Sequence, residues 1–339
     1  MTDGAESFYA QDSSARASWR LAILMGANSR TYKFALGEAL LELAESGRRD
    51  APLAELAAPY ALSLVRHLAD APQVSERTTR GESDFLSVAE QESEETLAAG
   101  RPTERLLSAA TRSMPGMVMQ KFHNLRGGTE VGHKFYELDG TARERAVRLT
   151  PELLRVARSE QADGLRAELG ARWSIVERSF ETGIGCSLMA EGVVVDWQSN
   201  TLMDTGRRRS VVGVAEAVIG FQHGRCLICD QVISPADPVA VDHVFPFSLM
   251  KRMRSIGAWN GPDLDALWNL APAHTACNGG KSDRLPSQAE VRRLALRNEA
   301  IADSPHPLRK TLELSLRTAF PTRRADAWPE FLRAVEGIV

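Results

Sequence analysis

Two short pairs, Cys226-Leu-Ile-Cys229 and His274-Thr-Ala-Cys277, constrain this chain more than any other feature. A gap of two residues lets both side chains of a knuckle point at one ion. Structural zinc takes four nitrogen or sulfur ligands in a tetrahedron, and the two pairs supply four with none to spare. The bland alternative is a buried Cys-x-x-Cys with an unrelated His and Cys. A redox dithiol would need a thioredoxin-like βαβ setting that the flanking sequence lacks. The interval between the pairs is longer than in a simple zinc finger, so the closed loop must carry structure of its own. For so small a module, metal binding would supply much of the folding free energy.

The whole chain, at 339 residues, is long enough for two domains or for one with a large extension. Hydrophobic residues make up 43% and charged residues 25%, an ordinary globular balance. No stretch approaches the roughly 18 to 20 unbroken apolar residues of a membrane span. The N-terminus is polar and carries acids, which fits neither a signal nor a transit peptide and predicts a cytoplasmic protein with no membrane role. Four cysteines do not make a disulfide framework, and Cys186, apart from the pairs, reads as a buried thiol. The net charge of −3 gives no global attraction to nucleic acid. Any grip on DNA must be local or shared with a protein partner.

The expected fold class is α+β. Residues 1–15 read as disordered, 16–210 as a mainly helical recognition or partner domain with a small hairpin, 211–290 as the metal module, and 291–339 as a helical tail. Asn28 or Ser29 is a candidate cap for a helix through Lys33, Leu36 and Leu40. A second helix covers LAELAAPYALSLVRHLA, and residues 75–104 read as exposed helix and loop. Alternating runs around Gly127-Gly128 predict the hairpin. Thr150-Pro151-Glu152 opens a helix with Pro in its first turn. VVVDW reads as a strand, VVGVAEAVIGFQ as a helix leading to Cys226, and QAEVRRLALRNEAIA and TLELSLRTAF as later helices. His123 and His133 bracket the Gly-Gly turn without a clear third ligand and read as core or surface residues. Gly183-Ile-Gly185 lacks the third glycine of a dinucleotide loop and reads as a turn.

Between and just after the zinc pairs stand Asp242, His243, Asn269, Asn278 and Lys281. Phosphodiester hydrolysis needs an activated water, charge neutralisation and help for the leaving oxygen. An imidazole such as His243 suits proton abstraction near neutral pH. Asp242 and Asn278 offer the hard oxygen donors that magnesium or manganese prefers. Asp242 and His243, adjacent on a strand, point to opposite sides, and Pro246 marks where that strand stops. Lys251, Arg252 and Arg254, with Arg208 in the tract Arg207–Arg209, are candidate phosphate contacts, or solvated charge on helix ends.

Asp242-His243-Val244, then Asn269-Leu270, then Cys277-Asn278-Gly279-Gly280-Lys281 resembles the HNH endonucleases, the ββα-metal nucleases. The resemblance covers about residues 222–286. It implies a hairpin whose second strand carries the base His243, a helix carrying the last ligand, Asp242 and Asn278 as ligands of catalytic Mg2+ or Mn2+, and Asn269 bracing the loop under the histidine. Lys281 would contact the scissile or a flanking phosphate. NGGKSDRLPS is also similar to the HNH module of RNA-guided CRISPR effector nucleases, where Asn closes the motif. FQHGRCLIC and NSRTYKFALGEALLEL look similar to stand-alone prokaryotic HNH proteins, some from anti-phage defence loci. The function expected is therefore metal-dependent DNA cleavage, by nicking or double-strand cutting, with oligomerisation left open. The alternatives are a non-catalytic zinc module that binds nucleic acid or protein, and cleavage of RNA.

Overall fold

The structure is a computed structural model. It describes residues 3–26, 30–74, 80–82, 84–125, 128–141, 144–180, 193–196, 201–204, 210–306, 308–319 and 327–338. No helix among them is long and apolar enough to cross a membrane. The chain divides into two compact units: Ser13–Cys186, and Thr2–Asp12 together with Ser187–Val339. The division falls near residue 186 instead of 210, and the C-terminal helices share a unit with the metal module.

Helix α1 (Asp3–Gln11) opens the chain and belongs to the second unit. The sequence reading of 1–15 as disordered fails there. Phe8 is 1% exposed and stacks on the His223 ring at 3.9 Å. One aromatic on a polar segment gives too little periodicity to signal a docked helix.

The first unit holds α2 (Ala15–Leu24), α3 (Tyr32–Glu45), β1 (Asp50–Pro52), α4 (Leu53–Asp70), α5 (Phe85–Gln91), α6 (Ser93–Ala99) and α7 (Glu104–Met117). After these come β2 (Tyr136–Asp139), β3 (Ala146–Leu149), α8 (Pro151–Ala157) and α9 (Ala162–Phe180). Local signals account for many ends. The Ser14 side chain accepts from Ala17 N at the start of α2, and Thr150 accepts from Leu153 N with Pro151 in the first turn of α8. Helix α3 follows Thr31; Asn28 and Ser29 lie outside the described residues. Trp19, Phe34, Tyr60 and Trp173 are fully buried among these helices. Lys33 is also buried: its Nζ donates to Ala22 O at 3.2 Å, and burial pushes it down to about 8.

Gly127 of the expected hairpin lies outside the described residues, which hold one isolated antiparallel bridge around it, Asn124 with Glu130. Residues 119–121 are a 3-10 turn, and the sheet instead orders β1-β3-β2, with Tyr136 opposite Leu149. Helix α7 runs to Met117 and leaves too few residues for a first strand. His123 Nε2 accepts the Phe135 amide at 3.0 Å, and His133 Nδ1 meets Ser18 Oγ at 3.0 Å, so both histidines are tied into this unit.

In the second unit, β4 (Val193–Asp196), β5 (Thr201–Asp204) and β6 (Ser210–Gly213) form an antiparallel sheet. The segment expected as one helix starts as strand β6, and only α10 (Val214–Ile219) and a 3-10 turn (Gly220–Gln222) are helical. The strand β7 (Val239–His243) leads to α11 (Phe247–Ser255); β8 (Leu270–His274) pairs back on β7 and runs into α12 (Thr275–Lys281). Last come α13 (Gln288–Asp303), α14 (Leu308–Ala319) and α15 (Ala327–Glu336). Helix α13 starts in a full capping box between Ser287 and Glu290. Arg297 on α13 donates to Leu270 O at 2.7 Å and Trp268 O at 3.1 Å, and Asn298 donates to Trp268 O. The tail thus fixes the entrance to β8.

Candidate functional site

The metal ligands come from two local structures. The first pair sits on a tight knuckle: Cys226 N donates to Gln231 O at 2.9 Å, Asp230 N donates to Cys226 O at 3.0 Å, and Arg225 bridges Val232. The second pair sits where a strand becomes a helix, His274 ending β8 and Cys277 in the first turn of α12. Leu227 N donates to Pro272 O at 3.3 Å, which sets the knuckle beside β8. Arg293 of α13 donates to Leu227 O at 2.7 Å and Ile228 O at 2.8 Å, so the knuckle carbonyls are held from the other side.

The ligand atoms of Cys226, Cys229, His274 and Cys277 all lie within 4.8 Å of one another. His274 Nδ1 is 3.4 Å from Cys229 Sγ and 3.8 Å from Cys277 Sγ. Tetrahedral bonds of about 2.0 to 2.3 Å separate neighbouring ligand atoms by roughly 3.3 to 3.8 Å. The four residues therefore fit a structural metal such as zinc. The other ring nitrogen, His274 Nε2, faces Val232 O at 3.2 Å and Asp237 Oδ2 at 3.5 Å, the outer contacts that fix an imidazole ligand. Burial and the neighbouring sulfurs push the Cys277 thiol up to about 12.

Asp242 and His243 end β7, opposite Ala271 and Leu270. They diverge as strand alternation requires: Asp242 is 3% exposed, and His243 keeps 30% of its side chain exposed. His243 lies on the first strand of the pair, not the second, and Asn278 is on the helix after the second strand. Strand β7 stops at His243, and Pro246 becomes the residue that precedes α11.

Asn269 is fully buried and ties the turn after His243 from three directions. Its Oδ1 accepts Phe245 N at 2.8 Å, and its Nδ2 donates to Phe245 O and Leu264 O, each at 2.8 Å. These three side-chain bonds all go to backbone. They brace the turn that follows His243.

Lys281 departs from expectation. It is 3% exposed, and its Nζ donates to Asp242 Oδ1 at 3.2 Å and to His243 O at 2.9 Å. An ammonium held between a carboxylate and a carbonyl in the interior does not reach a phosphate outside. Lys281 positions the end of β7. It leaves Asp242 half satisfied, because buried Oδ2 has no hydrogen-bond partner among the described residues. Burial pushes the Asp242 carboxyl above its ordinary range, against the pull of Lys281. Asn278 lies three residues before Lys281 and so on the same helix face. The Asn278 side chain is half-exposed.

Sequence reasoning missed Asp265. Its Oδ1 lies 2.8 Å from His243 Nε2, and the His243 ring packs at 5.4 Å from that of Phe247. In NGPDLDALWN nothing about Asp265 is periodic, so only three-dimensional placement finds it. Lys251, Arg252 and Arg254 are exposed along α11, directly after the strand that carries His243. Arg208 and Cys186 lie outside the described residues.

Comparison with protein-family models, with curated proteins and with solved structures finds no match to this chain.

Proposed function

We propose that the chain is a metal-dependent endonuclease of the HNH type that hydrolyses DNA phosphodiester bonds, with a structural zinc framing the site. The observation that carries the reading is Asp242 Oδ2: a buried carboxylate oxygen without a partner among the described residues, next to the residue that bears an accessible imidazole. A buried unpaired carboxylate oxygen is costly unless something charged meets it. In this reading the His243 imidazole takes a proton from the attacking water. Asn269 and Lys281 hold the end of β7, through Phe245 and the His243 carbonyl, so that the ring has one location. Magnesium or manganese held by Asp242 and Asn278 would supply Lewis-acid stabilisation of the departing 3′ oxygen.

Two further features agree. Gly279 and Gly280 lie in α12, where a Cβ would meet nothing within 4 Å. Helical glycine costs about 1 kcal/mol relative to alanine, and the chain's own packing does not require it here; a smooth surface beside Asn278 admits a phosphodiester backbone. Lys251, Arg252 and Arg254 offer local positive charge that the net charge does not. A defence effector role, a protein partner for the first unit, and oligomerisation for double-strand cutting belong to the same proposal.

The burial of Lys281 against Asp242 favours a second reading, a non-catalytic zinc module that binds nucleic acid or protein, since the carboxylate already has one counter-charge. Incubating supercoiled plasmid with the chain and magnesium separates the two. The expected result is nicked or linear product, lowered about 10²- to 10⁴-fold by His243→Ala. An inactive parent that retains zinc and binds DNA favours the second reading, and activity on RNA alone redirects the substrate.

A further inference from the structure

Among the described residues His243 is addressed on one ring nitrogen, Nε2. Asp265 Oδ1 meets Nε2 at 2.8 Å, and Phe247 packs near the ring. The carboxylate is exposed, yet the loop that carries it is pinned. Leu264 N donates to Met250 Sδ at 3.3 Å, Trp268 Nε1 donates to Asp263 O at 3.0 Å, Asn269 Nδ2 donates to Leu264 O at 2.8 Å, and Asp265 N donates to Asp263 Oδ1 at 3.1 Å. Trp268 and Asn269 are fully buried, so an exposed acid rides on a rigid frame. For stability alone this is a poor use of a carboxylate: an ion pair or hydrogen bond between side chains 30% and 46% exposed contributes little.

The geometry points to Asp265 as a positioning residue for His243, an inference that rests on the nuclease reading above. By accepting the Nε2 proton, Asp265 holds the neutral ring in one tautomer, with the lone pair on Nδ1. In the reaction, water gives its proton to Nδ1, its oxygen bonds to phosphorus, and the bond from phosphorus to the 3′ oxygen breaks. The departing oxygen takes a proton from solvent. As charge builds on the ring, the Asp265 carboxylate stabilises it across Nε2, as an acid does behind a catalytic histidine elsewhere. Asp265 itself does not touch the substrate.

The test pairs kinetics with spectroscopy on the full chain. Asp265→Ala lowers kcat for plasmid nicking with magnesium by roughly 10- to 100-fold and leaves KM unchanged, the size expected for an outer partner of a functional imidazole. Asp265→Asn, which keeps an acceptor oxygen without the charge, falls between, and Asp265→Glu recovers part of the rate. In a His243→Ala background, Asp265→Ala changes the rate by less than about twofold, because the acid acts only through the ring. Thermal stability and bound zinc stay at parent values throughout. Independently of activity, 15N-histidine spectra, assigned with His243→Gln, show the neutral His243 ring protonated on Nε2, and Asp265→Ala shifts it toward a mixture of tautomers.

Parent-like kcat in both Asp265→Ala and Asp265→Asn overturns the inference, as does an additive loss in the double variant. A parent that leaves plasmid intact overturns the nuclease reading alone. The ring-nitrogen signals then decide the pairing, and a tautomer unchanged by Asp265→Ala rejects it.

Discussion

Among the described residues each unit buries one acid–base pair to the same depth, and the two pairs are built differently. In the first unit, Arg20 and Glu168 have side chains 1% and 4% exposed; in the second, Lys281 and Asp242 have the same values. Arg20 meets both oxygens of Glu168, Nε to Oε2 at 2.9 Å and Nη2 to Oε1 at 2.8 Å. Lys281 meets one oxygen of Asp242 and spends a second donor on the His243 carbonyl. The bidentate fork closes a carboxylate, whereas a point ammonium leaves half of it open. Equal burial thus serves two ends. Glu168 is closed by the fold, and Asp242 keeps one buried oxygen without a hydrogen-bond partner among the described residues.

The same contrast runs through what holds each unit together. Trp19, Phe34, Tyr60 and Trp173 fill the first, with the His67 ring stacked at 3.5 Å on Trp173. Around the knuckle the buried apolar cluster is small, Cys226, Ile233 and Ala273, with Ile219, Ile228 and Cys277 partly buried against it. The second unit buries rings of its own, Trp268, Trp328 and Phe331, but this cluster contains none, and the four ligand residues here could hold a metal ion.

The largest difference should appear on removing zinc. A strong chelator is expected to lower the stability of the second unit by about 10 kcal/mol, the order of structural zinc in small modules. Hydrogen exchange should then accelerate over 224–281 and stay slow over 32–70; equal acceleration in both would erase the contrast. Next come the two ion pairs. Arg20→Met and Lys281→Met should each cost about 3 to 5 kcal/mol, because each strands a buried carboxylate. Manganese should restore part of the loss in Lys281→Met and none in Arg20→Met, as read by thermal melts with and without the ion. Recovery in both, or in neither, would make the two acids equivalent.

Smallest is a pH effect confined to the first unit. Burial, helped by the charges of Lys134 and Lys33, pushes His123 down to about 4, below the ordinary 6.5. The folded state then binds fewer protons than the unfolded chain between those values. Stability is full above about 6.5 and falls by about 3 kcal/mol as pH drops to about 4. Urea unfolding across that window should lose this slope in His123→Gln.

Much of this was legible in the sequence because it rests on local rules. The ligand pairs announced their spacing, Thr150 sits where a helix begins, and Asp242-His243 alternates across a strand. What was not legible depends on distant partners. Lys281 reads as a phosphate contact until α12 turns it inward on Asp242, and Asp265 is one acid among several until its loop folds back on His243. Helix α1 docks through Phe8, a single residue that no periodicity reveals. The pairing about Gly127-Gly128 stays short, an isolated bridge between Asn124 and Glu130, because the residues before it complete a helix and a 3-10 turn.

The most direct test is the position of metal ions in crystals of the chain grown with manganese, located by anomalous diffraction at the zinc and manganese edges. Zinc is expected among Cys226, Cys229, His274 and Cys277, and manganese beside Asp242 and Asn278. An Asp242 pocket that excludes manganese while Lys281 keeps its place, or a knuckle without zinc, would contradict the account.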